Sequence, residues 1–209
     1  MKLLIFGATG GTGRELIKQA LEQGHSVTAF ARNPAALAVK HPNLIVVKGD
    51  VLNYGSVEAA VKGQEAVLSA LGVKVREKRP ILSDGTRNII TAMETFGVKR
   101  FVCESSLGIG DSRGQLGFLY TNVLIPLLLK DAFRDKEVQE KYIRESNLDW
   151  VIVRPGALAN AERTGKYRSG FSGADKSIKA KISRADVADF MLKQITDDTY
   201  LRKTPGVSY

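Results

Sequence analysis

The chain has 209 residues, 44% hydrophobic and 25% charged, which suits one domain with a core of its own and makes neither disulfides nor metal necessary to hold it. A single cysteine, Cys103, excludes an internal disulfide framework and fits a reducing compartment. Thirty-one basic residues against 22 acidic give a net charge of +9, a balance that attracts nucleic acid, a membrane surface or an anionic small ligand.

The pattern narrows those classes. Seven basic residues and one acid lie between Arg163 and Arg184, and Lys74, Arg76, Lys78 and Arg79 form a second group. Such stretches are most simply solvated faces. A nucleic-acid surface calls for a recognisable module or interleaved aromatics, and neither is present, so no nucleic-acid partner is expected. The N-terminal apolar run, Leu3 to Phe6, is too short for a signal peptide. The longest uncharged apolar stretch, Leu116 to Leu129, contains Pro126 and falls short of the ~18 residues needed to cross a bilayer. A soluble, cytoplasmic protein with no membrane partner is the expectation.

In chain order, short apolar runs alternate with longer amphipathic ones, the pattern of βαβ units around a parallel sheet. Strands are predicted at Lys2–Phe6, Ser26–Phe30, Leu44–Val47, Ala66–Ala70, Arg100–Cys103 and Trp150–Val153. Helices are predicted at Arg14–Gln23, Leu82–Phe96, Ala132–Glu145 and Ser183–Ile195. The first sets Leu16, Ile17, Ala20 and Leu21 on one face and stops at Gly24. The last opens with Ser183 and Asp186 at capping-box spacing. The expected architecture is a single α/β domain, a Rossmann-type doubly wound parallel sheet with helices on both faces. Residues from about 155 to 209 are expected to form a small substrate lobe over the C-terminal edge of the sheet.

The chemistry is carried by Gly7-Ala8-Thr9-Gly10-Gly11-Thr12-Gly13, which follows the first strand and opens the first helix. Strand, glycine turn and helix in that order form a dinucleotide site. Glycines permit the tight turn and let backbone approach a pyrophosphate, and the helix N-terminus offers free N–H groups and partial positive charge. The second strand reads out which dinucleotide. An NAD site usually places an acid there for the adenosine ribose, but this strand ends Thr28-Ala29-Phe30-Ala31-Arg32-Asn33. Arg32 can fork onto a 2′-phosphate, which an acid would repel, so NADP(H) is preferred over NAD(H). Arg14 is a further candidate for charge at this end. Gly49-Asp50-Val51 is expected to meet the adenine, and Ala70-Leu71-Gly72 to pass close to the nicotinamide ribose.

The run from GATGGTG through ARNP, VVKGDV, VLSALG, FVCESS and RESNLDWVIVRPG, continued by TGKY and ISRADVADFML, resembles the atypical short-chain dehydrogenase/reductases. Within them it is most similar to the flavin reductase/biliverdin-IXβ reductase type and its NmrA-like relatives. The resemblance covers nearly the whole chain. It implies an NADPH-binding Rossmann fold whose shallow site reduces flavins or related planar acceptors, the flavin being a substrate and not a tightly held cofactor. Position by position it places Gly7, Thr9, Gly10, Gly11 and Thr12 on the pyrophosphate, Arg32 on the 2′-phosphate, and Asp50 and Val51 on adenine. Leu71, Gly72, Cys103 and Ser105 fall on the nicotinamide side, with Ser105 where that type has its active-site serine, and the turn at Pro155 borders the nicotinamide. The two histidines near the substrate in that type fall at Glu140 and Ala157, and the segment from Leu107 to Leu129, which should shape the acceptor pocket, matches poorly.

Reductases of this superfamily that act on alcohols and ketones use Tyr-x-x-x-Lys, the tyrosine donating a proton and the lysine lowering its pKa. No tyrosine here has a lysine four residues later; Lys136 occupies the lysine's place and Ala132 the tyrosine's. Hydride transfer to a flavin does not need that pair, because charge spreads over the ring system. Ser105 is the candidate catalytic hydroxyl, with a plain strand-closing serine as its alternative. Cys103 reads by its own surroundings as a small buried hydrophobe. Lys136 and Glu140 are spaced for an ion pair. His25 and His41 lie in segments remote from the glycine loop, and no residue spacing suggests a metal site. Leu116, Leu119, Val123 and Leu127–Leu129 form an apolar patch, read first as core and second as a pocket lid or oligomer surface. The expected activity is NADPH-dependent reduction of a planar acceptor. The alternative is a non-catalytic NADP(H)-sensing regulator of the NmrA-like kind, which alone would call for a protein partner.

Overall fold

The computed structural model describes residues 1–73, 77–112, 127, 129–171, 175 and 177–209. The strands β1 (Lys2–Phe6), β2 (Ser26–Ala31), β3 (Leu44–Lys48), β4 (Ala66–Ser69), β5 (Arg100–Glu104) and β6 (Asp149–Pro155) lie in the order 3-2-1-4-5-6, every neighbouring pair parallel. Burial on both faces explains why these strands read as continuous apolar runs. Leu3 and Ile5 of β1 join one core with Val102 and Val151, while Leu4 and Phe6 join another with Val67, Phe101 and Trp150.

Each core is closed by helices. On one face, α1 (Gly11–Glu22) packs against α5 (Arg184–Lys193), with Leu16, Ile17, Val187 and Met191 fully buried between them and the sheet. Burying each such side chain contributes about 1.5–3 kcal/mol. On the other face lie α2 (Tyr54–Val61), α3 (Ile81–Phe96) and α4 (Lys130–Glu145). Asp135 of α4 accepts hydrogen bonds from the backbone N–H groups of Leu82 (2.8 Å) and Ser83 (3.0 Å). A carboxylate from one helix thus satisfies the free donors at the start of the next, which fixes α4 and its lysine against the sheet.

The six predicted strands and four predicted helices are present, with ends moved by one to three residues. Half of the capping box forms: Ser183 Oγ accepts from the Asp186 N–H (2.9 Å), but the Ser183 N–H donates to the Tyr209 hydroxyl (3.1 Å) and the Asp186 carboxylate accepts from Thr164, Gly165 and the Tyr209 hydroxyl instead. Residues from 155 onward are shared between α5, packed on α1, and two pairs of short strands, and do not form a lobe alone. The strands β7 (Ala157–Ala159) and β9 (Lys181–Ser183) make a small sheet beside the cleft, whereas β8 (Arg168–Ser169) and β10 (Gly206–Ser208) extend the main sheet past β6. Of the apolar patch, Leu127 and Leu129 alone are described; Leu116, Leu119, Val123 and Leu128 lie outside the described residues. Among the described residues no helix is long and apolar enough to cross a membrane.

Candidate active site

The order of the sheet reverses between β1 and β4, and ligands of such folds bind outside the carboxyl ends of the strands at that point. A cleft of 820 Å³ opens there. Its floor is the glycine loop. Gly7 has φ +75°, and a Cβ on it would sit 2.8 Å from the Leu71 nitrogen, so only glycine allows β1 to turn under the end of β4. A Cβ on Gly13 would lie 2.9 Å from the Ala8 Cα, which shows a packing role: Gly13 is buried and lets α1 start directly beneath the turn. Gly13 supports the cleft without lining it.

Gly7, Thr9, Gly10, Gly11, Thr12, Arg32, Asp50, Val51, Ala70, Leu71, Gly72, Ser105 and Pro155 all line the cleft. Arg32 is exposed at the end of β2, and among the described residues no carboxylate lies within ion-pair distance of it. Asp50 is exposed and turns the chain, its Oδ1 accepting from the Leu52 N–H at 3.0 Å. Arg14 does not line the cleft: its guanidinium donates to the carbonyls of Thr9 (3.1 Å) and Ala36 (2.6 Å), bracing the loop from outside.

Cys103 does not line the nicotinamide side. It is fully buried in the core behind β5, and burial pushes its thiol up to about 12; the inert, hydrophobe-like reading of the sequence is the one the packing supports. The Lys136–Glu140 ion pair is also absent. Glu140 turns inward, fully buried, and accepts from Arg154 Nε (3.0 Å) and Nη2 (2.7 Å), from Arg144 (2.5 Å) and from the Ser105 hydroxyl (2.6 Å). A bidentate guanidinium presented at fixed geometry from β6 outcompetes a lysine one turn away. Lys136 instead donates to the Ser105 carbonyl at 3.1 Å and lines the cleft, four residues from Ala132, which lines it too. The Ser105 hydroxyl proton is therefore directed at Glu140, and the free donor on this wall is the ammonium of Lys136.

Other cleft residues were read differently in the sequence or not at all. Phe133 and Leu129 add an apolar wall. Arg184, the first residue of α5, reaches the glycine loop from the far end of the chain, with no local signal to announce it. Glu104 did carry a signal, a lone acid ending the apolar run Phe101-Val102-Cys103. Its carboxylate is buried against the start of α1, accepting from Thr12 Oγ1 at 3.2 Å. Burial pushes its pKa above the usual carboxylate range, opposed by Lys136, the Thr12 hydroxyl and Arg184.

A model of a protein family described as NAD(P)H-binding matches residues 7–198. The chain belongs to that family. A chloroplastic protein of Arabidopsis thaliana, itself uncharacterized, is 30% identical over 210 residues, covering 94% of this chain and 72% of its own length. The photosystem II assembly factor Ycf39 of Synechocystis is 26% identical over 215 residues, covering 98% of this chain; this chain spans 61% of that relative. Among solved structures, the anaerobillin reductase ChuY of Escherichia coli O157:H7 superposes with a TM-score of 0.82 at 25% identity, over 100% of this chain and 97% of that one. The fold expected from the sequence, a Rossmann-type parallel sheet, is the family's own, and the atypical short-chain dehydrogenase/reductase resemblance stands beside reductase-type neighbours.

Family membership makes the buried acid informative. A dinucleotide brings two pyrophosphate charges to the glycine loop, whose helical end holds Thr12, and a further negative charge at Glu104 would oppose them. NADPH affinity is expected to fall as pH rises through the elevated Glu104 pKa, because ionisation adds the repulsion, and Glu104→Gln is expected to flatten that dependence. Calorimetric titrations across the pH range check both; a slope unchanged in the variant would assign the dependence elsewhere.

Proposed function

We propose that this chain is an NADPH-dependent reductase that delivers hydride to a flavin or a similar planar, conjugated small molecule. The observation that carries the reading is the continuity of one cleft. It runs from Arg32 and the glycine loop to a wall of Phe133, Leu129, Ala132 and Lys136, where the side chain expected in a ketone reductase is a methyl group. The residues fit the nucleotide: a loop stripped of Cβ atoms where backbone must approach phosphate, and an unpaired arginine at the ribose end. When bound, reduced nicotinamide supplies the hydride.

The chain's own residues do the rest. Gly10 and Thr12 present backbone and hydroxyl groups to the pyrophosphate, and Arg32 selects the 2′-phosphate. Leu71, Gly72 and Pro155 border the nicotinamide end. Phe133 and Leu129 exclude water from one side of the acceptor and offer apolar surface to a flat ring. Alanine at 132 leaves room for that ring, and the Lys136 ammonium, fixed by the Ser105 carbonyl, is positioned to donate to charge developing on the acceptor. Glu140 and Arg154 hold the end of β5 in place beneath it.

NADPH oxidation is expected to be saturable in FMN or riboflavin and to be abolished by Gly10→Trp, which fills the space above the loop; its added Cβ alone would lie 3.2 Å from the Gly7 carbonyl oxygen. Turnover undiminished by that change would place the chemistry elsewhere. One observation favours a second reading, an NADP(H)-binding regulator: the Ser105 proton is committed to Glu140, and the positions of the related type's histidines hold Glu140 and Ala157. Tight NADPH binding without turnover on any planar acceptor, together with a stoichiometric protein partner in a pull-down, would establish it.

A further inference from the structure

Arg184 belongs by sequence to the start of α5, and its neighbours Ser183 and Asp186 are explained by helix capping. Its own side chain is not. It leaves the helix and lies flat against the glycine loop: a Cβ on Gly11 would fall 2.6 Å from Arg184 Nε. A side chain at position 11 would require this arginine to move aside. Gly11 stands outside the three glycines spaced for the turn, the phosphate approach and the helix packing, so its glycine is accounted for by Arg184.

The guanidinium is half-buried and lines the cleft beside Gly10, Gly11 and Thr12. Nη1 donates to Asn160 Oδ1 at 2.6 Å, which orients the group. Among the described residues no carboxylate lies within ion-pair distance of it, unlike Arg79 and Arg154, which are paired. The remaining guanidinium N–H groups are thus held, uncompensated, above the one stretch of backbone built to receive an anion. Glu104, a buried acid in electrostatic reach, feels this charge without bonding to it.

We infer that Arg184 is a pyrophosphate-binding residue, a clamp supplied by the C-terminal part of the chain across the glycine loop. It completes the phosphate site that α1 provides only from below. The two arginines of the cleft then divide the nucleotide: Arg32 reads the 2′-phosphate and Arg184 the pyrophosphate, which NADPH and NADH share. The inference rests on the nucleotide occupying this cleft.

The test is a set of calorimetric titrations with NADPH, NADH, ADP-ribose and 2′-AMP on wild type, Arg184→Ala and Arg184→Lys. Losing a charge-assisted bidentate contact to phosphate is expected to weaken NADPH, NADH and ADP-ribose alike, by about ten- to a hundredfold. Binding of 2′-AMP, which lacks the pyrophosphate, should be unchanged in Arg184→Ala, and that result also shows the variant is folded. Arg184→Lys is expected to recover part of the loss by restoring charge without the fork. Unchanged affinity for NADPH and NADH in Arg184→Ala, or a loss confined to NADPH, would overturn the inference while leaving the cofactor reading intact. A wild-type protein that binds neither dinucleotide overturns both.

Discussion

Arg32→Asp is expected to weaken NADPH binding by about 2–3 kcal/mol, some 30- to 150-fold, while NADH binding holds or improves. Position and charge both set this preference. Arg32 is the first residue beyond β2, at the rim of the cleft that Asp50 also lines, where the adenosine ribose of a dinucleotide lies in folds of this order. No described carboxylate neutralises it. An aspartate there removes a forked donor and adds repulsion toward a phosphate, yet can accept from ribose hydroxyls, which is how NAD-preferring sites use an acid at this place. Paired Kd measurements for the two nucleotides decide it. A preference that survives the substitution would mean the 2′-phosphate is recognised by another group, and the reading of the second strand would fail.

Glu140→Ala carries the largest expected effect on stability. Arg154 and Glu140 are both buried to within 1% of full enclosure, and their bidentate contact is joined by Arg144 and the Ser105 hydroxyl. Removing the carboxylate leaves the buried guanidinium with only the exposed Asp111 carboxylate as an acidic partner, a change that costs roughly 3–5 kcal/mol and lowers Tm by on the order of 10 °C for a domain of this length. The loss reflects the abandoned charge more than the worth of the pair. A double variant, Glu140→Leu with Arg154→Met, is therefore expected to recover much of the stability, since apolar replacements of buried ion pairs are often neutral. Urea denaturation of the two singles and the double separates the cases. Losses that simply add would show the two groups act independently, contrary to the geometry.

Much of the frame was legible from local pattern alone. Strands enclosed on both faces must be apolar along their whole length, so Leu3–Phe6 and Val151–Val153 announce themselves. The glycine spacing follows from sterics at Gly7 and Gly13 that no other residue satisfies. What stayed hidden depends on partners distant in sequence. The helix α2 is eight residues long and contains Gly55, so its period is too short to register, although Asn53 caps it. Strands β7 to β10 have two or three residues each and exist because neighbouring backbone offers them partners. Glu140 was read as the partner of Lys136 because helical spacing puts the two on one face; only the fold brings Arg154 from β6 to claim the carboxylate. Arg184 escaped for the same reason, being set against Gly11 by the packing of α5 on α1.

In the proposed function the cleft passes hydride directly from NADPH to a flat acceptor held against Phe133 and Lys136. The most direct measurement is the kinetic isotope effect with NADPH deuterated separately on each face of nicotinamide C4, with FMN as acceptor. A cleft that fixes the ring against one wall predicts slowed turnover for one label and none for the other. NADPH that binds tightly and is never consumed, or consumption equally insensitive to both labels, would contradict the account.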